Sequence, residues 1–367
     1  MPAGHPPPAP LAVLHFTGYT DDHSGVVSVI HALAAARRFE CVLGVGPGFV
    51  AQRVERLPTV EFPPVEAERI SPATWWAARR LARAAQRWLA AGPRRVFHGH
   101  SRAGLLAALW LNRWGERRVV ATVHAYGRQT WFYRWSARQL GDRLVWLTPA
   151  MKRHYGVAGA GWEGCIPNSL PRPPRAASCP APGARFVLGG AGMFVRWKCW
   201  ELVIDAIARL PGAERGRIEF RHIGADDGTA DSRAYAAELR QRAQAAGLQG
   251  QVHWLGWQPS IEPLLAEAQA VIVPSRREPF SMVALEALFA GVPVIAADDG
   301  GPVDFLRAGE SGWFFRSGEA ADLSRVLREV LTTKPWERTR IDPAALRRFE
   351  TSVVAQQWVD LYERVLR

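Results

Sequence analysis

The chain has little that would staple or metallate a fold. Its four cysteines, Cys41, Cys165, Cys179 and Cys199, are scattered without C-x-x-C spacing. That argues against a zinc site and a disulfide framework, and suits a reducing cytoplasm. D-x-D does not occur, and no Cys/His cluster has the spacing of a metal site. No G-x-G-x-x-G follows the first apolar run, which disfavours a dinucleotide enzyme. No apolar run approaches the roughly 20 residues of a membrane helix. The opening "MPAGHPPPAPLAVLHF" lacks a basic region leading into a long apolar one, so a secretory signal is not expected. Internal repeats and recognised nucleic-acid motifs are missing as well.

What is present is the composition of a soluble globular protein: 367 residues, 48% hydrophobic and 22% charged, enough for two domains with separate cores. The net charge of +12 is uneven. Residues 1–180 carry 23 basic against 10 acidic side chains, net +13, and the remainder nets −1. A basic first half suits an anionic surface or substrate. A genome that writes arginine for lysine explains it equally well, since few of the basic residues are lysine.

Short apolar runs alternate with amphipathic stretches throughout, the pattern of an α/β protein with parallel sheets. In the first half the strand candidates are 11–16, 41–46, 95–100, 119–124 and 143–148. The Pro-rich "PRPPRAASCPAPG" that follows reads as a linker over 171–184, between domains at 1–170 and 185–345. Strand candidates resume at 185–192, 218–225, 251–256, 270–275 and 293–297. Residues 346–367 close the chain as an amphipathic helix, expected to pack back toward the first domain. Two doubly wound Rossmann-like halves joined by a hinge place the expected ligand site in a cleft between them.

"REPFSMVALEALFAGVPVIAADDGG" holds two glutamates, Glu278 and Glu286, in an apolar setting. Ser281 is a good N-cap for the helix "MVALEALFAG", which stops at Gly291 with Pro293 beyond. Amides of Phe280, Ser281 and Met282 would then lie open at a helix N-terminus, where phosphate and sugar oxygens bind well. Glu278 sits in the loop leaving a strand at its carboxyl end, the usual ligand edge of an open α/β sheet. Glu286 can accept two hydroxyl hydrogen bonds from a ribose. Taken alone, the pair reads equally as a solvated helix residue and a helix-dipole partner.

The order strand, P-S-x-x-E-P-F-S, then E-A-L-x-x-G-V-P-V-I-A and Gly-Gly, resembles the donor-site signature of retaining GT-B glycosyltransferases of family 4, or group 1. "VFHGHSRAG", "VVATVHAYG", "CIPNSL" and "ESGWFF" with "ADLSRVL" extend the resemblance over most of the chain. It implies a GT-B fold and a metal-independent, retaining hexosyltransferase. The donor would be a UDP- or GDP-linked sugar, with no further cofactor, and the acceptor a glycan or glycolipid of bacterial surface polysaccharide or lipopolysaccharide. In that scheme Glu278 contacts the transferred sugar and Glu286 the ribose. Amides of Phe280–Met282 meet hydroxyls or phosphate, and backbone from Gly256 to Ser260 faces the base. Ser24 and Gly25 open a helix toward the diphosphate, with one glycine where relatives often have two. His124, in T-x-H-x-x-G, points at the reacting sugar. His100 and Arg128 line the acceptor side.

One departure stands out. Relatives carry G-R followed by K-G after the first strand of the second domain, an arginine and a lysine that neutralise the leaving diphosphate. Here "AGMFVRWKCW" keeps Lys198, puts Met193 at the arginine position and Cys199 at the glycine. Arg196 is expected to supply the missing charge. The departure also opens an alternative, a catalytically impaired binder of nucleotide sugars or glycans. "SPATWWAARRLARAAQRWLAAG" and "WFYRWSAR" mix tryptophan with arginine, as at an anionic membrane surface or as in a core helix with its arginines in water. The expected location is cytoplasmic, at the periphery of the inner membrane.

Overall fold

A computed structural model describes residues 10–21, 24–51, 56–65, 69–159, 161–170, 174, 185–334 and 341–367. The Pro-rich linker, Cys179 and residues 22–23 of the first loop lie outside those residues, apart from residue 174. Two compact units emerge: Met1–Pro171 with Arg348–Arg367, and Arg172–Arg347.

The first unit runs β1 (Ala12–Phe16), α1 (Gly25–Ala35), β2 (Glu40–Val45), β3 (Thr59–Glu61), α2 (Pro72–Ala90), β4 (Arg95–Gly99), α3 (Arg102–Arg113), β5 (Val119–Val123), α4 (Thr130–Leu140), β6 (Leu144–Trp146) and α5 (Pro149–Tyr155). The second runs β7 (Phe186–Ala191), α6 (Trp200–Ala208), α7 (Gly212–Arg215), β8 (Ile218–Ile223), α8 (Ala230–Ala245), β9 (Val252–Trp254), α9 (Glu262–Glu267), β10 (Ala270–Val273), α10 (Met282–Ala290), β11 (Val294–Ala297), β12 (Gly312–Phe315), α11 (Ala320–Thr333) and α12 (Pro343–Leu346). A last helix, α13 (Thr351–Val365), returns to the first unit.

Both sheets have six strands, and every pairing within them is parallel. Their orders are β3-β2-β1-β4-β5-β6 and β12-β11-β10-β7-β8-β9. Numbered within each unit, both read 3-2-1-4-5-6, the doubly wound order whose ligand crevice opens where the winding reverses. That point falls between β1 and β4 in one unit and between β7 and β10 in the other. The strands are continuous apolar runs because helices cover both faces. In the first unit Leu11, Val13, Val96, Val120 and Val145 pack under Val354, Trp358 and Leu361 of α13. In the second, Leu188, Ile218, Ile272 and Ile295 share a core with Trp200, Val203, Leu239 and Leu327.

Each strand read from the sequence is present, usually one or two residues shorter. Two edge strands, β3 and β12, were not read. β3 is three residues long with exposed ends, so it carries almost no apolar period.

Candidate active site

In the second unit β7 and β10 are neighbours, and the loops leaving their carboxyl ends carry Lys198 and Glu278. Beyond β7 the chain turns at Gly192 and enters a 3-10 turn over Arg196–Lys198. A Cβ on Gly224, which has φ +151°, would lie 2.0 Å from the Gly192 carbonyl oxygen. The exits of β7 and β8 thus touch backbone to backbone, an approach that only glycine permits. This close packing delivers Lys198 to the switch point. Its Nζ donates to Glu278 Oε2 at 2.7 Å and sits 4.4 Å from the centre of the Trp197 ring. The two side chains are 15% and 8% exposed, so the pair is shielded, short and charge-assisted.

Glu278 is held by its backbone. It bridges to Gly300, and the Gly301 amide donates to its carbonyl at 2.6 Å. Gly300 has φ +97°, and a Cβ there would meet the Glu278 carbonyl oxygen at 2.4 Å. The Gly-Gly after β11 is therefore the cradle of the Glu278 loop. Ser281 caps α10 as expected, its Oγ accepting from the Ala284 amide at 3.2 Å. It does so at φ 78° and ψ 93°, a conformation costly for a non-glycine residue. Phe280 and Ser281 are buried, contrary to the open N-terminus expected: the Phe280 ring packs on Phe305 at 5.2 Å. Met282 is half-buried.

Glu286 lies one turn into α10, half-buried, with no hydrogen-bond or ion-pair partner among the described residues. Burial pushes its carboxyl up to about 7. Gly256, at φ +71°, follows β9, and its carbonyl accepts from the Gly224 amide at 2.9 Å. Beside it Gln258, Ser260, Ile223 and Leu264 help line a pocket of about 130 Å³.

Arg196 does not join Lys198. Its guanidinium is paired with Asp231 and Glu238 of α8 at 3.3 and 3.1 Å and lies 5.2 Å from the Tyr235 ring centre. The α8 carboxylates claim the charge assigned to the diphosphate. Met193 is half exposed, at 51%, and its carbonyl accepts from Trp200 Nε1.

The first unit holds a pocket of about 380 Å³ at the carboxyl edge of its sheet, with Thr17, Gly18, His100, Arg102, His124 and Tyr133 in its wall. His124 follows β5 directly and is half-buried. Its Nε2 is 2.9 Å from His100 Nδ1, and His100 Nε2 is 2.9 Å from His15 Nδ1. His98, paired in register with His15, spends both nitrogens elsewhere: on Tyr362 of α13 and on Thr122, each at 2.7 Å. Burial lowers all four imidazoles, His15 to about 3 and His124 to about 4, with His98 and His100 well below the usual range. The cluster is therefore neutral near pH 7.

His15, His98 and His100 bring ring nitrogens within 4.8 Å of one another, a grouping that could hold a metal ion. Every nitrogen in it except His15 Nε2 already has a hydrogen-bond partner, so the cluster is built as a polar network. Both nitrogens of His100 are committed to neighbouring rings, so it lines the pocket with its ring rather than with a free nitrogen. Ser24 caps α1, its Oγ accepting from the Val27 amide at 3.2 Å, and Gly25 is the first helical residue. Neither they nor Arg128, exposed in the loop before α4, line the pocket.

On α2 the buried stripe is Ala78, Leu81, Ala82, Ala85 and Leu89. Its tryptophans divide: Trp76 is 58% exposed, with Arg80, Arg83 and Arg87 exposed on the same helix, whereas Trp75 and Trp88 are half-buried and Trp75 packs on Trp110 at 4.8 Å. Trp131 and Trp135 of α4 are exposed too. Among the described residues no helix is long and apolar enough to cross a membrane.

Sequence reasoning missed His15, hidden as one polar residue in "LAVLHF", and the packing roles of Gly192, Gly224 and Trp197. The His-x-His of β4 was the available signal for His15, since a facing histidine on a paired strand completes such a cluster.

Comparison with known proteins bears on the fold and on the second unit. Residues 178–348 match the model of the family described as glycosyl transferases group 1. The lipopolysaccharide core biosynthesis glycosyltransferase LpsE of Rhizobium meliloti is 30% identical over 155 residues, 42% of this chain and 42% of its own length. The phosphatidyl-myo-inositol mannosyltransferase of Mycobacterium leprae is 26% identical over 298 residues, 76% of each chain. The match thus spans under half of the first relative and three quarters of the second. Among solved structures, Anabaena Alr3699/HepE in complex with UDP and glucose superposes with a TM-score of 0.74 at 19% identity, over 96% of this chain and 100% of that one. The fold is GT-B, and residues 178–348 are similar to the glycosyl transferases group 1 family.

Proposed function

We propose that the chain moves a hexose-type sugar from a UDP- or GDP-linked donor to a glycan or lipid-linked acceptor, with retention at the anomeric carbon and without a divalent cation. The observation that carries the reading is the Lys198–Glu278 pair at the switch point of the second sheet, with Glu286 on the adjoining helix unpartnered among the described residues. An arriving diphosphate competes with Glu278 for the Lys198 ammonium, which stabilises the leaving group as charge develops on it. Glu278, so released, accepts from a hydroxyl of the transferred sugar. Glu286 as a carboxylate takes the ribose hydroxyls, and the pocket beside Gly256 takes the base. Within the first unit, His124 in the pocket wall is the side chain offered to a sugar. The names of the relatives support the context: one belongs to lipopolysaccharide core biosynthesis and one acts on phosphatidyl-myo-inositol. UDP and glucose occupy the Anabaena structure.

The acceptor belongs to cell-surface polysaccharide or lipopolysaccharide synthesis in this reading. The protein works in the cytoplasm against the anionic inner membrane, with Trp76, Trp131 and the arginines of α2 as the contact. Sedimentation with anionic liposomes at low salt tests that part, and no binding refutes it.

A second reading, a nucleotide-sugar binder with impaired turnover, is favoured by two facts. Met193 replaces the expected arginine, and Arg196 is engaged by α8. A thermal-shift screen with UDP, GDP, ADP and their sugars, followed by assay of nucleotide release, separates the readings, because a ligand of the native state raises apparent stability. A shift with release supports the transferase. A shift without release supports the binder, and no shift from any nucleotide refutes both.

A further inference from the structure

We infer that His15 and His100 are positioning residues that hold His124 as its Nδ1–H tautomer, so that His124 offers a hydrogen-bond donor to the pocket. The observation behind this is a one-dimensional chain of three rings. His124 Nε2 meets His100 Nδ1, and His100 Nε2 meets His15 Nδ1, each at 2.9 Å. The far end of the chain, His15 Nε2, is buried with no partner among the described residues.

A neutral imidazole has one N–H and one lone pair, so every ring-to-ring contact needs a donor on one side and an acceptor on the other. Two directions satisfy both contacts. In one, protons point from His15 toward the pocket: His15 Nδ1–H donates to His100, and His100 Nδ1–H donates to His124 Nε2. His124 then carries its own proton on Nδ1. In the other direction every proton moves to Nε2, His124 faces the pocket with a lone pair, and His15 Nε2–H is left as an unpaired buried donor. The two states differ in what stands unpaired at the buried end, a lone pair or an N–H. In backbones, orphaned buried N–H groups are rarer than under-satisfied acceptors, and we extend that preference to the imidazole. Hydrogen bonds in a chain polarise one another, so the preference at His15 reaches His124. The neutral state of all three rings, with His15 lowered to about 3 and His124 to about 4, keeps the chain to these two directions near pH 7.

The chemical consequence rests on the function proposed above. An Nδ1–H donates to a sugar hydroxyl or phosphoryl oxygen, and it cannot take a proton. His124 thus acts in recognition and charge stabilisation rather than as a general base.

The test is ¹⁵N NMR of the full chain labelled at histidine, which separates protonated from unprotonated ring nitrogens. The expected spectrum shows His124 with Nδ1 protonated and Nε2 bare. A bare Nδ1, or averaged shifts at both nitrogens, overturns the assignment. His100→Asn retains an N–H at the position of Nδ1 and is expected to keep the tautomer. His100→Leu removes it and is expected to give a mixture at His124. An unchanged single tautomer in His100→Leu, or its loss in His100→Asn, refutes the role of His100. The wild-type spectrum decides the direction of the chain even where a variant does not fold. Failure of every UDP-, GDP- and ADP-linked sugar to bind a wild type with the expected tautomer would sink the proposed function and leave the histidine assignment standing.

Discussion

Lys198 and Glu278 lie 80 positions apart and meet at 2.7 Å where the exits of two neighbouring strands converge. Neither side chain has much water around it, so each depends on the other for a hydrogen-bonding partner. Removing one strands the other, and a broken buried pair costs about 3–5 kcal/mol. Partial exposure places this one at the lower end. Lys198→Ala is therefore expected to lower stability by about 3 kcal/mol in urea denaturation and to weaken nucleoside diphosphate binding at least tenfold. Binding unchanged by the substitution would remove Lys198 from the diphosphate site.

Glu286 sets a pH dependence of a different kind. Its carboxyl is pushed up to about 7 in the free protein, and ribose hydroxyls are better held by the carboxylate. Binding should release a proton near neutrality and weaken as pH falls below 7, approaching tenfold per pH unit, since 1.4 kcal/mol corresponds to about one pKa unit. Titration calorimetry from pH 8 to 5.5 reads the slope directly. Glu286→Gln should bind more weakly and lose the slope, and a slope that survives in it assigns the titration to another group.

The buried histidines give stability the same sign for a separate reason. His222, among Phe194, Trp200 and Trp254, is lowered to about 3, as His15 is. These rings stay neutral in the folded chain while the unfolded chain takes up protons below about 6.5. The unfolded state then binds more protons, so stability rises with pH and is lost as pH falls from about 6.5 toward the folded values. Urea midpoints at pH 7.5 and 5 should differ, and by less in His222→Phe. An equal difference in that variant would mean His222 does not contribute.

Met193→Arg asks whether the missing charge matters. The side chain is half exposed, so the change should alter stability by no more than about 0.5 kcal/mol. An arginine there adds a fork suited to a diphosphate, and nucleotide release from a donor sugar is expected to rise. If release stays flat while nucleotide binding tightens, the departure at Met193 is not what limits turnover.

The architecture was largely legible because parallel strands buried on both faces write themselves as apolar runs, and "AVIVPS" or "VVATVH" admits few other readings. The Glu278 loop was legible through its capping serine and Gly-Gly. Arg196 was misread because its partners, Asp231 and Glu238, come from a helix whose packing no local pattern announces. Phe280 was misread as open because the ring that buries it, Phe305, lies in the next connection. The histidine chain was invisible for the same reason. His15 gains meaning only when β1 and β4 pair and bring it into register with His98, and strand pairing is a fact of topology rather than of spacing.

The return of α13 to the first unit has a consequence for how the protein is made. Val354, Trp358 and Leu361 complete the core under β1, β4, β5 and β6, and Tyr362 supplies the partner of His98. A chain leaving the ribosome N-terminus first therefore cannot finish its first unit until after the whole of the second has been synthesised. At about 5–20 residues per second the interval is on the order of ten to forty seconds. During it the sheet face destined for α13 stands uncovered while the second unit is free to close. The half made first matures last, and nascent first-unit chains are the stage at which a chaperone would be needed.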